Sequence, residues 1–408
     1  MRRFFRVARR FFVAMRIWLS AWPGGIKRGR FFGVVAAAVT LAALATPSAS
    51  AARSASAGDS SSICPGGTLL SAVSAHRLPA GSTAYTYVLP DGRSFENTAP
   101  PTGFNVATAS NALLAELDLP PRPAGAAAGA AAMNNWQAQV APFSKSRISG
   151  SDKFCVVANT NPEMPAVTPE ATTAGQRAPG VVPLATPVGH TWSSNWSGYE
   201  LRSGHYHRAA GHFTQPRTDT LTRSMSTWIG LNSASNGRLV QAGAGDEVGG
   251  NGGALFWEMY CSPNPGDCNS AQVESQFVAV PGDDVSVSVS FDNSHMSYYQ
   301  VAINGQLDIN TKLAMRSDSS TGGVADFITE RTGGDTIPDT SPIVFSGART
   351  YANWDSSVSV PFGSQNVFGY EMTNDDAFHN PPCSASSNIL MYPNNITSGG
   401  FTNNYCHS

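Results

Sequence analysis

"SQFVAVPGDDVSVSVSFD", residues 275–292, is the stretch that decides the fold. Its second half alternates without a break: Val285, Val287, Val289 and Phe291 fall on one side of an extended chain, Ser286, Ser288 and Ser290 on the other. A helix would scatter these valines around its circumference, whereas a strand gathers them into one apolar face. The next segment, "YYQVAINGQLDINTK" (298–312), reads as a hairpin with Asn304-Gly305 at its tip, a dipeptide suited to the tight turn. "STWIGLNSASNGRLVQAG" (226–243), "ALFWEMY" (254–260), "PIVFSGA" (342–348) and "QNVFGYEM" (365–372) supply further short strands. No helical period stands out beyond His190. The expected fold is all-β: an antiparallel β-sandwich, concanavalin A-like or jelly-roll-like, over residues 190–408.

Composition agrees and excludes some functions. Of 408 residues only 13% are charged, about half the usual share. The net charge of −2 hides an asymmetry. Residues 1–30 hold nine basic residues and no acid, and residues 52–189 balance at eight of each. Residues 190–408 hold nine basic and twenty acidic residues, a net charge of −11, with Lys312 the one lysine. Such a surface repels nucleic acid at neutral pH and loses self-repulsion in acid. No nucleic-acid partner is expected.

The N-terminus reads as an export signal. A basic region ending in "IKRGR" precedes the apolar run "FFGVVAAAVTLAALA" and the small-residue site "ATPSASA". The run is short for a membrane span, so the expected location is extracellular, with no membrane association after signal removal. Six cysteines in an exported chain should pair, and proximity suggests Cys64–Cys155, Cys261–Cys268 and Cys383–Cys406. Their spacing fits no zinc template. "GHYHRAAGH" brings His205, His207 and His212 together, but no carboxylate or cysteine completes a ligand set, and loop histidines are expected. No metal or other cofactor is expected.

The expected organisation is a signal peptide over 1–51, a small propeptide region over 52–160, a Pro/Ala-rich linker over 161–189 and the sandwich over 190–408. Within the second piece, "TAYTYVLPDGRSF" reads as a hairpin around Asp91-Gly92 and "TASNALLAELDL" as a capped helix. "MNNWQAQVAPF" suggests another short helix. The linker "NPEMPAVTPEATTAGQRAPGVVPLATPVG" has no periodicity and is a place for proteolytic nicking.

Several hydrolase signatures are missing: no G-x-S-x-G elbow, no H-E-x-x-H helix, and no Asp-Thr-Gly or Asp-Ser-Gly. What is present is a series. Asn195-Trp196-Ser197-Gly198 comes first, then Trp228-Ile229-Gly230 and Val240-Gln241-Ala242-Gly243. Trp257-Glu258-Met259-Tyr260 and Ala325-Asp326-Phe327-Ile328-Thr329-Glu330 follow, and "PIVFSG" also fits. In this order the segments resemble the eqolisins, glutamic peptidases of acidic habitats, and their bacterial relatives in particular. The resemblance implies two packed antiparallel sheets with a cleft on a concave face. It also implies a catalytic pair, Gln241 and Glu330, and protein or peptide substrates.

The chemistry fits the implied roles. A Glu330 carboxylate can take a proton from water and return it to the leaving amine. Ordinary glutamate titrates near 4.3, which suits both steps in acid. Gln241 offers an uncharged donor for the oxyanion. Trp196, Trp228, Trp257 and Tyr260 are candidates to line the cleft, and Asp246 or Glu258 to hydrogen-bond the pair. Asp326 is expected as a solvent-side strand residue. Met259 stands where relatives carry an aromatic, which bears on substrate preference. The expectation is a monomeric, secreted, acid-acting endopeptidase made as a precursor, with no cofactor. Two rivals remain: a non-enzymatic lectin-like sandwich using exposed tryptophans, and a glycosidase using Glu258 with Glu330.

Overall fold

The computed structural model divides the chain into Met1–Arg53 and Ser54–Ser408. It describes residues 64, 66–125, 129–158, 187–202, 206–219, 225–232, 238–246, 252–261, 271–292, 296–314, 324–332, 337–351, 360–364, 367–374, 383 and 388–406. The expected signal peptide, most of the linker and the Cys261–Cys268 pairing lie outside these residues. Among them no helix is long and apolar enough to cross a membrane.

Strands dominate the described chain. The first part holds β1 (Thr68–Ser71), β2 (Ser74–Arg77), β3 (Thr83–Val88), β4 (Ser94–Ala99), β5 (Lys145–Ser146) and β6 (Lys153–Ala158). It also holds helices α1 (Asn111–Glu116) and α2 (Ala130–Val140). The second part runs β7 (Pro187–Ser193), β8 (Trp196–Leu201), β9 (Arg208–Thr214), β10 (Met225–Asn232), β11 (Arg238–Asp246), β12 (Gly253–Cys261), β13 (Ala271–Ala279) and β14 (Asp284–Phe291). It continues with β15 (Met296–Ile303), β16 (Gln306–Ala314), β17 (Val324–Arg331), β18 (Ile343–Tyr351), β19 (Val360–Pro361), β20 (Val367–Thr373), β21 (Ile389–Thr397) and β22 (Gly400–Tyr405).

The local readings hold. Asn304 and Gly305 both take positive φ (51° and 76°) at the β15–β16 tip, and Gly92 does so (85°) between β3 and β4. Ser110 caps α1, its hydroxyl accepting from the Leu113 N–H. Cys64–Cys155 and Cys383–Cys406 are bonded.

Strand pairing builds two layers. The first runs β1–β6–β13–β12–β11–β10–β17–β8–β20–β7. The second runs β2–β3–β4–β16–β15–β14–β9–β18–β22–β21. The β20–β21 pairing joins them at one side. Between the layers lies one core. Val285, Val287, Val289 and Phe291 of β14 meet Val240, Ala242, Leu255 and Trp257 of the first layer, and Trp257 stacks on Tyr299 at 5.0 Å. The all-β sandwich is therefore the observed fold.

The serine face of β14 is buried too. The outer face of the second layer is covered by the first part of the chain. Leu114, Leu117, Trp136, Val140 and Phe143 form a second core that includes Ala302 and Leu307 of β15 and β16.

Alternation along the first layer sorts its side chains into two faces. Ile229, Leu231, Ala325 and Phe327 face the core, so Trp228, Gly230, Asp326, Ile328 and Glu330 take the outer face. Glycine makes that face passable for large rings. Gly243 and Ile328 lie opposite Trp228 on its two flanking strands, and Gly198 lies opposite Ile328 on the next. A Cβ on Gly243 would stand 2.1 Å from Thr227 O and 2.8 Å from Trp228 Cα. Both are backbone atoms that cannot move aside cheaply. Gly243→Ala is accordingly expected to cost about 3 kcal/mol or more, read from urea unfolding. A loss under about 0.5 kcal/mol would contradict this packing.

Candidate active site

The outer face of the first layer collects aromatic rings around carboxyl groups. Trp196, Trp228, Leu239, Phe256, Tyr260, Ile328, Phe368 and Tyr370 form its apolar cluster, with Trp196 edge-on to Trp228 at 5.1 Å. Glu330 sits among them, at the end of β17, opposite Trp196 on β8 and Ser226 on β10. One carboxylate oxygen accepts from the Trp228 indole N–H at 2.8 Å, the other from Asn195 Nδ2 at 3.3 Å. Burial pushes Glu330 up to about 7, the negative charge of Glu258 adds to the rise, and bonds from Trp228, Trp196 and Asn195 pull it back. Glu330 therefore keeps its proton in acid.

Gln241 lies on the same face. Its Nε2 donates to Glu258 Oε2 at 2.8 Å, both side chains being buried. Because Glu258 accepts, the amide orientation is set. One N–H is engaged, and among the described residues neither the second N–H nor Gln241 Oε1 has a hydrogen-bond partner. Gln241 and Glu330 are not bonded to each other. They stand on strands either side of β10, opposite Gly230 and Ser226 respectively.

A second polar group continues the row through Gln241. Asp326 lies opposite Gly230 on one side and Glu200 on the other. Asn232 Nδ2 donates to Asp326 Oδ2 at 2.9 Å. Arg202 Nε donates to Glu200 at 2.5 Å, and its guanidinium lies 3.7 Å over Phe368 and donates to Tyr370 OH at 2.6 Å. Burial, then the neighbouring Glu200 charge, raises Asp326 well above the carboxylate range. Burial also raises Glu200, against the pull of Arg202.

The candidates thus separate. Gln241, Glu258, Glu330, Trp196, Trp228 and Tyr260 share the face. Trp257 does not: it points between the layers, 5.0 Å edge-on to Phe95 and stacked on Tyr299. The alternation that aims Glu258 outward aims both its neighbours inward, so Met259 is a core residue as well. Met259 therefore bears on packing rather than on substrate preference. Asp246 ends β11, paired with Met225, and its side chain lies outside what is described. Asp326, expected on the solvent side, is fully buried.

Asn195, Glu200, Arg202, Asn232 and Tyr370 were not anticipated. Asn195 stands in the Asn195-Trp196-Ser197-Gly198 motif without an assigned role; it is 5% exposed and donates to Glu330. Glu200 follows Trp196 and Gly198 at alternate positions, a signal that shows only once β8 is known to be a strand.

No family profile matches the chain, and no curated protein matches it. Among solved structures it is similar to Scytalido-glutamic peptidase with a peptide-based transition state analog. That likeness has 15% identity and a TM-score of 0.37, over 53% of this chain and 100% of that one. It is also similar to SCP-B, a member of the eqolisin family of peptidases in a complex with a tripeptide, at 14% identity and a TM-score of 0.35, again over 53% and 100%. CG-16, a homodimeric agglutinin from chicken liver, follows at 11% identity and a TM-score of 0.23, over 36% and 98%.

Proposed function

We propose that this chain is a secreted, acid-acting endopeptidase that hydrolyses peptide bonds with Glu330 and Gln241. The observation that carries the reading is Glu330: one half-buried carboxyl, gripped by an indole and an amide, on the same face as an amide whose orientation a second carboxylate fixes.

The raised pKa changes how the acid chemistry is written. An ordinary glutamate would be half-ionised near 4.3, but Glu330 at about 7 rests protonated in acid. In that form it hands its O–H proton to the scissile carbonyl oxygen while its other oxygen takes a proton from the attacking water. A neutral gem-diol forms, and Glu330 is again singly protonated. Gln241 holds the water through Oε1 and meets the developing oxyanion with its second N–H. Glu330 then protonates the leaving nitrogen, and the C–N bond breaks as the second hydroxyl of the diol gives its proton back to Glu330. Activity on this account falls as pH rises through about 7, where Glu330 ionises.

The lectin-like rival drew on exposed tryptophans; Trp196, Trp228 and Trp257 are all buried, and among the described tryptophans Trp192 of β7 alone is exposed. The glycosidase reading keeps one observation in its favour, the electrostatic coupling of Glu258 to Glu330. Parallel assays on an acid-denatured protein and on a panel of glycans separate the two. Peptide cleavage that Gln241→Ala reduces supports the peptidase. Glycan cleavage without peptide cleavage would replace it.

A further inference from the structure

Residues 64–158 touch the sandwich at three places. At one open edge β6 continues the first layer through β13, with Val273 opposite Val156 and Ser275 opposite Phe154. At the matching edge β4 continues the second layer through β16, with Leu313 opposite Phe95. Across the outer face of the second layer, Gln300 Nε2 donates to Leu117 O and Asn310 Nδ2 to Thr98 O. Leu70, Tyr87, Leu89, Phe95 and Phe154 belong to the same core as Trp257 and Tyr299. Without them the edges of both layers, and Trp257 with them, would meet water.

Charge follows the same seam. Arg147 forks onto Asp308 at 2.6 and 2.8 Å. Arg208 donates to Asp118 at 3.0 Å, and Ser290 to the same oxygen at 3.0 Å. Lys312, the one lysine beyond residue 190, meets Glu96 at 2.7 Å.

We infer that residues 64–158 are a permanent part of the sandwich rather than a removable propeptide, so that a cut within 159–186 leaves two fragments that stay together as one folded protein. No covalent link does the holding. The two cysteines before residue 159 bond to each other, and the other four all lie beyond residue 190. Among the described residues the aromatic cluster on the Glu330 face is drawn wholly from residues 196–370, with none from the segment.

Acid should tighten this seam. Burial raises Asp118 to about 7, against Arg208 and Ser290, with Asp292 adding to the rise. It raises Asp308 to about 6, against Arg147, with Asp152 adding to the rise. Tyr298 also faces Asp118, and Asp283 faces Arg147. A carboxyl whose docked pKa lies above its free value favours docking fully below the free value, near 3.9, and loses that advantage as pH rises through the docked value. The window is therefore pH 4–7, with the stronger seam at its acid end.

The test uses the full chain carrying Glu330→Gln, so that the outcome does not depend on the catalytic reading. A site for a sequence-specific protease is placed between residues 165 and 185 and cut after folding. Size-exclusion chromatography at pH 7.5 and 4.5 should return both fragments in one peak with unchanged near-UV circular dichroism. Separating them should take more urea at pH 4.5 than at pH 7.5. Asp118→Asn with Asp308→Asn should remove most of that difference. Elution of the larger fragment alone, at either pH, would overturn the inference. A segment needed only during folding would be released in this experiment, so that case is overturned as well.

Discussion

The melting temperature of this protein should rise on acidification, by roughly 5–10 °C between pH 7.5 and pH 4.5. Most folds do the reverse, because their carboxylates are ion-paired with lowered pKa values that acid must overcome. Here the large shifts run upward. Glu330 and Asp118 are held at about 7 and Asp308 at about 6, and Asp326, Glu200 and Asp152 are raised as well. Each shifted unit is about 1.4 kcal/mol, so each of the first three destabilises the neutral-pH fold by on the order of 3 kcal/mol. That penalty is present above pH 7 and gone below the free values near 4. Loss of the −11 charge on residues 190–408 works in the same direction. Glu116 opposes it: bonds from Ser82 and Ala80 lower its pKa, so it begins to lose its contribution below the ordinary glutamate range. Thermal melts of Glu330→Gln from pH 3 to 8 avoid self-digestion and should show the rise from the remaining groups. A melting temperature that falls steadily from pH 7.5 to 5 would contradict the electrostatics described.

The second large effect concerns Gln241 and Glu258. Gln241→Ala should lower kcat about 100- to 1,000-fold, the usual cost of one oxyanion donor, with the fold intact by circular dichroism. Glu258→Gln is the more diagnostic change. It removes the charge that raises Glu330, so the alkaline limb of the rate profile should move down from about 7. It also leaves Gln241 facing an amide, which can donate as well as accept, so the Gln241 orientation is no longer dictated. A lower rate with an unmoved limb would separate Glu258 from the titration of Glu330.

Much of this was legible because strands alternate. The valine–serine run reads as the strand that is β14, and the same alternation along Ala325–Glu330 puts Asp326 and Glu330 on one side together. Alternation says which residues share a face but not which face is the core. For that reason Trp257 and Met259 were expected near the substrate, although they lie on the inward side of the strand whose outward side carries Glu258. Register was out of reach, because pairings such as Asp326 with Glu200 join residues 126 positions apart. Burial was out of reach too, and it is burial that moves Glu330 from near 4 to about 7. The hairpin at Asp91-Gly92 and the helix at Ser110 were readable locally. That β4 and β6 would continue the two layers could not be read, since edge pairing leaves no short-range signal.

The central claim is that Glu330 carries hydrolysis. It is tested most directly by digesting an acid-denatured protein with wild type and Glu330→Gln, from pH 2 to 8, in the presence of pepstatin. The account predicts cleavage by wild type alone, strong in acid and falling through about pH 7, with none above background from Glu330→Gln. Equal cleavage by both proteins, or none by either at any pH, would contradict it.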